Sequence, residues 1–107
     1  MQIEFENEEI ELLIERGKGK NSLYKKLSKQ AIFMSKLDII METLSSAKDI
    51  KSVFEFSYLH CEYLKHNLSG KLSIRILQGK PYRLIFREHR DKVTIEIIEI
   101  NEHYGNK

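Results

Sequence analysis

The chain has 107 residues, of which 41% are hydrophobic and 32% charged, and its formal net charge at pH 7 is +2. This length and composition predict a single globular domain over residues 1–107 and exclude an intrinsically disordered chain. No apolar run approaches the roughly 20 residues of a membrane-spanning helix. The acidic start also lacks the basic and apolar segments of a secretory signal, so we expect a cytoplasmic protein that does not contact a membrane.

Charge is distributed unevenly along the chain. Residues 1–16 contain six Glu and one Arg, a net charge of −5, whereas residues 17–107 contain seventeen Lys and Arg against ten Asp and Glu, a net charge of +7. The acidic start is explained by the first turn of a helix, where the helix dipole favours carboxylates. The basic remainder is sufficient to attract a polyanion.

The first two predicted elements are a short strand and a helix. Residues 2–5 alternate between polar and apolar side chains, which is typical of a strand. Asn7 then offers a cap for a helix in which Ile10, Leu13 and Ile14 form one apolar stripe. Gly17 is expected to end this helix.

A long second helix is predicted after the basic, glycine-containing connector at residues 17–20. Asn21 or Ser22 can cap it, and it ends near Ser46, after which Asp49 can start one further turn. Its apolar residues recur every three or four positions, and we expect them to pack on the sheet. They are Leu23, Leu27, Ala31, Phe33, Met34, Leu37, Ile40, Met41 and Leu44.

Three aromatic residues and the single cysteine follow. Phe54, Phe56 and Tyr58 alternate along the chain. They could stack on nucleic-acid bases, but we expect them to cover the core beside the sheet. Cys61 has no partner for an internal disulfide, and we expect a small buried apolar group rather than a nucleophile. Because none of the four histidines lies on a predicted helix that could present a metal site, we predict no metal.

Residues 65–87 form a basic segment that contains six Lys and Arg and no Asp or Glu. On each side of a turn at residues 78–81, apolar and polar side chains alternate along the chain, which predicts an antiparallel hairpin. The apolar side chains share one face and are expected in the core: Leu72, Ile74, Ile76, Tyr82, Leu84 and Phe86. Ser73, Arg75, Arg83 and Arg87 point to the other face. Such arginines suit a phosphate group, or they are ordinary surface residues.

The last predicted strand covers residues 93–100. Val93, Ile95 and Ile97 occupy one face, whereas Ile98 and Ile100 fall on the formerly polar face, so we expect a bulge or strong twist near Ile97. This strand directs residues 101–107 to a position beside the cationic face, where a histidine could exchange protons near neutral pH.

The order of these elements resembles the HigB-like branch of the RelE/ParE toxin superfamily over essentially the full length. The resemblance is carried by short motifs in the right order: Leu64 and Lys65, Gly70, the strand containing Ser73, Ile74, Arg75 and Ile76, the strand from Tyr82 to Phe86, and the tail with Glu102, His103 and Tyr104. It implies an α+β fold in which an N-terminal strand and two helices pack on one face of an antiparallel sheet.

The resemblance further implies a toxin of a type II toxin–antitoxin module that enters the ribosomal A site and cuts messenger RNA. Cleavage in this family uses the 2′-hydroxyl of the RNA as nucleophile and needs no metal or cofactor. Expected partners are the ribosome with its message, an antitoxin with a helix-turn-helix, and operator DNA through the antitoxin complex. Two other functions stay open, namely a ParE-like inhibitor of DNA gyrase and a non-catalytic module that binds antitoxin and operator.

Site residues follow from the same resemblance. Arg75 and Arg83 would hold the scissile phosphate, Lys65 would bind phosphate or assist proton removal, and His103 or Tyr104 would be the acid or base. Further RNA contacts are expected from Lys71, Arg87, His66 and Lys80. This chain departs from the family pattern, because His66 replaces the usual glycine, Leu72 replaces a common aromatic residue, and the order of the tail residues is inverted. His60 and His66 are second-rank catalytic candidates.

Overall fold

A computed structural model describes residues 1–65 and 70–102 of the chain. Its elements are β1 (Gln2–Phe5), α1 (Glu8–Arg16), α2 (Ser22–Ser28), α3 (Ala31–Ser46), α4 (Ile50–Phe54), a 3-10 turn (Ser57–Leu59), β2 (Glu62–Tyr63), β3 (Lys71–Arg75), β4 (Arg83–Glu88) and β5 (Thr94–Asn101). The strands form one sheet in the order β1, β5, β4, β3, β2. Neighbouring strands are antiparallel except β1, which runs parallel to β5. The predicted α+β class is therefore confirmed.

The caps of α1 were predicted correctly. The side-chain oxygen of Asn7 accepts a hydrogen bond from the backbone N–H of Ile10 at 3.0 Å. Gly17 adopts the left-handed conformation with φ of 66°, which glycine reaches without a steric penalty. Ile10 and Leu13 are completely buried between these caps.

The predicted second helix is two helices in the structure, α2 and α3. Asn21 caps α2 as predicted, but Gln30 has an extended backbone with ψ of 102° and separates α2 from α3. Leu27 lies in the core before the break, and Phe33, Leu37 and Leu44 lie in it afterwards, whereas Ala31 is exposed. The apolar spacing continues across the break, so periodicity alone does not reveal it.

The predicted hairpin is confirmed in detail. All six apolar residues assigned to its inner face are buried, and Arg75 lies opposite Arg83 in the register of β3 and β4. Together with α1, α2, α3, α4 and β5 these side chains build one core on the helix-covered face of the sheet. The opposite face of the sheet is called the open face below.

The predicted bulge in β5 is also present. Ile85 pairs with Glu99 and Phe86 pairs with Ile97, which leaves Ile98 as an extra residue between them. Ile98 packs with Ile85 and Leu64 in a small second cluster, so part of the open face is apolar. Val93 was expected in this strand on the face of Ile95 and Ile97, but it is exposed and precedes the strand. Among the residues that the structure describes, no helix is both long and apolar enough to cross a membrane.

Candidate active site on the open face of the sheet

Arg83 is the best-anchored cation on the open face. Its Nε donates to the hydroxyl of Ser73 at 2.9 Å, and its Nη2 donates to the carbonyl oxygen of His60 at 2.8 Å. Its side chain is only 14% exposed. Ser73 comes from β3 and is completely buried, so the strand pairing itself fixes the position of the guanidinium.

The backbone of His60 turns sharply to supply its carbonyl oxygen. His60 follows the 3-10 turn and has φ of 48°, a left-handed conformation that costs a non-glycine residue about 1–3 kcal/mol. Its N–H donates to the carbonyl oxygen of Ser57 at 3.2 Å, and the neighbouring Leu59 is completely buried. Burial of Leu59 therefore helps to hold a strained turn that aims the His60 carbonyl oxygen at Arg83.

Glu62 brings a carboxylate to this site, and the sequence analysis missed it. Its Oε2 lies 3.5 Å from Nη2 of Arg83, and its side chain is 55% exposed. Glu62 lies opposite Ser73 in the pairing of β2 with β3. The motif around Leu64 and Lys65 begins two residues later, but only the strand pairing reveals that Glu62 reaches the arginine.

Arg75 extends the cationic site from Arg83 toward the turn of the hairpin. Residues directly opposite on an antiparallel pair have Cβ atoms about 4.5–5.5 Å apart, so the predicted pair Arg75 and Arg83 is brought together. Arg75 is half-buried and has no ion-pair partner among residues 1–65 and 70–102. Two adjacent arginines repel each other, and Glu62 offsets part of that repulsion.

The other end of β4 is different. Arg87 lies opposite Lys71, but its Nη1 is 2.9 Å from Oε1 of Glu96 on β5. Nε2 of His89 lies 3.9 Å from the same Glu96 oxygen. The expectation of a face with arginines and no carboxylates is thus wrong, because Glu62 and Glu96 come from neighbouring strands outside the basic segment. The RNA-binding roles of Lys71 and Arg87 stay predictions.

The remaining predicted site residues fall into two groups. Lys65 follows β2 and is exposed, and Lys80 is exposed in the turn between β3 and β4. His66, His103 and Tyr104 lie outside the described residues. The structure therefore brings Arg75 and Arg83 together, and the proton-transfer role of the tail stays a prediction.

Cys61 and the nearby aromatic residues differ from each other in burial. Burial raises the pKa of the Cys61 thiol to about 12, against the opposing effect of the Arg83 charge, so the thiol is protonated at neutral pH. This agrees with the expectation of an unreactive apolar group.

Phe54, Phe56 and Tyr58 were expected to cover the core, but all three are exposed. Val53 and Leu59 fill the core in their place because the chain turns twice in this segment.

Potential metal ligands are not clustered among the side chains that the structure describes. There, no group of three or more His, Cys, Asp and Glu residues is arranged to hold a metal ion. Beside Arg83 the open face offers the guanidinium group of Arg75, the exposed carboxylate of Glu62 and the hydroxyl of Ser73.

Three solved toxin structures are similar to this chain over almost its whole length, whereas no family model and no curated protein sequence matches it. A YoeB/ParE toxin from Agrobacterium tumefaciens is 17% identical with a TM-score of 0.58, covering 97% of this chain and 100% of that one. A YoeB–YefM complex from Staphylococcus aureus is 18% identical to this chain with a TM-score of 0.60. A YoeB dimer from the same organism is 20% identical with a TM-score of 0.54. Each of these two covers 97% of this chain and 98% of the other. None of the three is named HigB, so the HigB branch stays a prediction. The chain has the fold of the YoeB/ParE toxins.

Proposed function

We propose that this protein is the toxin of a type II toxin–antitoxin module and that it is a ribosome-dependent mRNA endonuclease. Fold alone does not decide the activity of a small domain, so the proposal depends on the site. The observation that carries it is the arrangement of Arg83, fixed by Ser73 and His60, with the exposed carboxylate of Glu62 3.5 Å away and Arg75 on the adjacent strand.

The proposed reaction needs only the RNA and protein side chains. The 2′-oxygen attacks the adjacent phosphorus and loses its proton to a base, and the bond from phosphorus to the 5′-oxygen breaks. The leaving oxygen takes a proton from an acid, so the products are a 2′,3′-cyclic phosphate and a 5′-hydroxyl. Such a step requires a base, an acid and positive charge at the phosphate oxygens.

We assign the roles of Arg83, Arg75 and Glu62 from the positions of their side chains, and those of His103, Tyr104 and Lys65 from the resemblance to the toxin family. Arg83 and Arg75 stabilise the negative charge that develops on the phosphate, since guanidinium groups match its oxygens. Glu62 is the base for the 2′-hydroxyl, because it is an exposed carboxylate beside the proposed phosphate site. His103 or Tyr104 supplies the proton for the leaving oxygen, and Lys65 binds the RNA backbone.

The proposed partners follow from this charge distribution. An antitoxin would cover the open face with carboxylates that pair with Arg75 and Arg83, and a protein with the same fold is known in a complex, YoeB with YefM. The antitoxin complex would in turn bind operator DNA. The toxin would act in the cytoplasm, where it meets the ribosome and its message.

The test is to induce wild-type protein, Arg83→Ala, Glu62→Gln and the control Arg90→Ala in growing bacteria and to map the 5′ ends of messages. Arg90 is exposed in the connection between β4 and β5, outside the site. We expect in-frame cuts with 5′-hydroxyl ends in wild type and in the control. Loss of one preorganised cation or base should reduce cutting by about 100- to 1,000-fold.

Two results would overturn the proposal. Growth arrest with broken DNA and intact messages would indicate a ParE-like inhibitor of gyrase. Neither cutting nor arrest in the wild type, with antitoxin binding retained, would indicate a non-catalytic module that binds antitoxin and operator.

A further inference from the structure

A groove runs between α3, the 3-10 turn and the end of β3, beside the candidate active site. It is called the Tyr58 groove here and is lined by Lys36, Ile39, Tyr58, His60, Arg75 and Gln78, among other residues. Its volume is about 340 Å³, within the range of about 300–1,000 Å³ that is usual for ligand pockets. The groove is therefore large enough for a small ligand group, and its lining indicates which kind.

Among the described residues that line the Tyr58 groove, the permanently charged ones are basic. Lys36 and Arg75 line it, and these described lining residues include no carboxylate. Neither Lys36 nor Arg75 has an ion-pair partner in the part of the chain that the structure describes. The groove thus matches an anionic ligand better than an apolar or cationic one.

An aromatic ring and apolar side chains complete the groove. Tyr58 is 56% exposed, yet its hydroxyl lies 3.4 Å from Oγ1 of Thr43 and its ring packs edge-on against Phe56 with centroids 6.0 Å apart. Ile39 of α3 is also largely exposed beside it. A held aromatic ring next to cations is the combination with which proteins bind single-stranded nucleic acids, because every base offers a flat face for stacking.

The Tyr58 groove is continuous with the candidate active site. His60 lines the groove and also supplies the carbonyl oxygen that fixes Arg83. Arg75 lines the groove and lies opposite Arg83 in the strand pairing. An RNA strand whose phosphate contacts Arg83 would therefore have a neighbouring nucleotide at the mouth of the groove.

We propose that the Tyr58 groove binds one unpaired nucleotide of the RNA next to the scissile phosphate. The base stacks on Tyr58 and Ile39, the phosphate contacts Arg75 and Lys36, and the amide of Gln78 hydrogen-bonds to the edge of the base. This inference rests on the proposed function, since it names the RNA subsite beside the same active site. It makes the groove the determinant of which base flanks the cut.

The binding test uses the whole protein and a short single-stranded RNA that carries 2′-O-methyl groups, so that the probe cannot be cut by 2′-hydroxyl attack. Binding is followed by fluorescence anisotropy for wild type, Tyr58→Leu, Lys36→Gln and two controls. Tyr63→Leu removes a tyrosine of similar exposure, 53%, outside the groove, and Lys29→Gln removes an exposed lysine between α2 and α3. Thermal melts check that all variants fold.

We expect Tyr58→Leu to weaken binding by about 10-fold, within the range of about 5- to 150-fold that corresponds to loss of one stacked base. Lys36→Gln should weaken it less and reduce its salt dependence, because one phosphate contact is lost. The two controls should stay within about 2-fold of wild type. A probe with 5-iodouridine should crosslink to Tyr58 under ultraviolet light, as mapped by mass spectrometry. The proposal is wrong if Tyr58→Leu and the wild type bind the RNA equally well, or if the probe crosslinks outside the Tyr58 groove.

Message mapping separates this inference from the proposed function. If Tyr58→Leu changes the base preferred beside the cut, both ideas stand together. If messages stay intact in wild type while the probe still crosslinks to Tyr58, the endonuclease fails and the nucleotide-binding groove survives. If Tyr58→Leu leaves RNA binding and base preference unchanged but weakens the antitoxin complex, the groove docks a protein and the proposal is wrong.

Discussion

Removal of the Ser73 hydroxyl tests whether the fold itself positions Arg83. Ser73 is completely buried, and its Oγ accepts the hydrogen bond of Arg83 Nε at 2.9 Å. Because the Arg83 side chain is only 14% exposed, water replaces this acceptor poorly. Hydrogen bonds to charged groups are worth about 1.5–3 kcal/mol, so Ser73→Ala should lower the free energy of unfolding by that amount.

Urea unfolding followed by circular dichroism measures this loss, with the same dependence on urea concentration in both proteins. A double-mutant cycle with Arg83→Met should give a coupling energy of about 1–3 kcal/mol between the two side chains. Ser28→Ala is the matched control, because the Ser28 hydroxyl donates to the carbonyl oxygen of Lys25 at 2.9 Å on an exposed helix surface. It should change stability by less than about 0.5 kcal/mol.

A coupling energy below about 0.5 kcal/mol would refute the reasoning, since Arg83 would then be held by its other contacts alone. The activity assay gives a second, independent reading. If the guanidinium moves when Ser73 is shortened, message cutting by Ser73→Ala should fall about 10-fold, which corresponds to about 1.4 kcal/mol of lost transition-state stabilisation.

Three further predictions concern parts of the chain around this site. Gly19→Ala should destabilise the fold by about 1–3 kcal/mol in urea titrations, because a Cβ would lie 2.2 Å from the backbone carbon of Tyr24. Gly79→Ala is strained by its φ of 80° alone, since nothing lies within 4 Å of its Cβ, and a loss in Gly19→Ala no greater than in Gly79→Ala would contradict this. Cys61, with its pKa near 12, should resist iodoacetamide at pH 8 until urea unfolds the chain, and rapid labelling of the folded protein would contradict its burial. Hydrogen bonds from the backbone and hydroxyl of Ser52 lower the pKa of Asp49 below 3.8, so the stability they add is present at neutral pH and is lost as pH falls below that value. Asp49→Asn should therefore reduce the acid sensitivity of thermal melts while keeping the cap, and equal acid sensitivity would count against this assignment.

Local patterns in the sequence were sufficient for the elements whose structure depends on near neighbours. The cap at Asn7 and the stop at Gly17 follow from single side chains and one backbone conformation. The bulge at Ile98 follows from a change in the alternation of apolar residues within one strand. The cap and the stop depend on interactions within a few residues, and the bulge is visible as a break in the pattern of a single strand.

The sequence failed where the decisive contact is distant along the chain. The helix break at Gln30 is not visible in the sequence, because the apolar period continues across it. The site depends on the pairing of Glu62 with Ser73, whose strands are separated in the sequence by residues 64–70. Phe56 is likewise exposed because its neighbours Val53 and Leu59 occupy the core in its place.

Two arginines of β4, Arg83 and Arg87, lie on the same face but are suited to different tasks. Arg87 donates to Glu96 at 2.9 Å, a short contact with a side chain that is itself mostly buried, which makes it a structural ion pair. The contacts that hold Arg83 include two uncharged oxygens, and the carboxylate of Glu62 beside it is exposed and 3.5 Å away. A phosphate oxygen can therefore take the place of Glu62 at Arg83 without losing the contacts that position the guanidinium. The displaced carboxylate then lies beside the bound phosphate, where the proposed reaction needs a base.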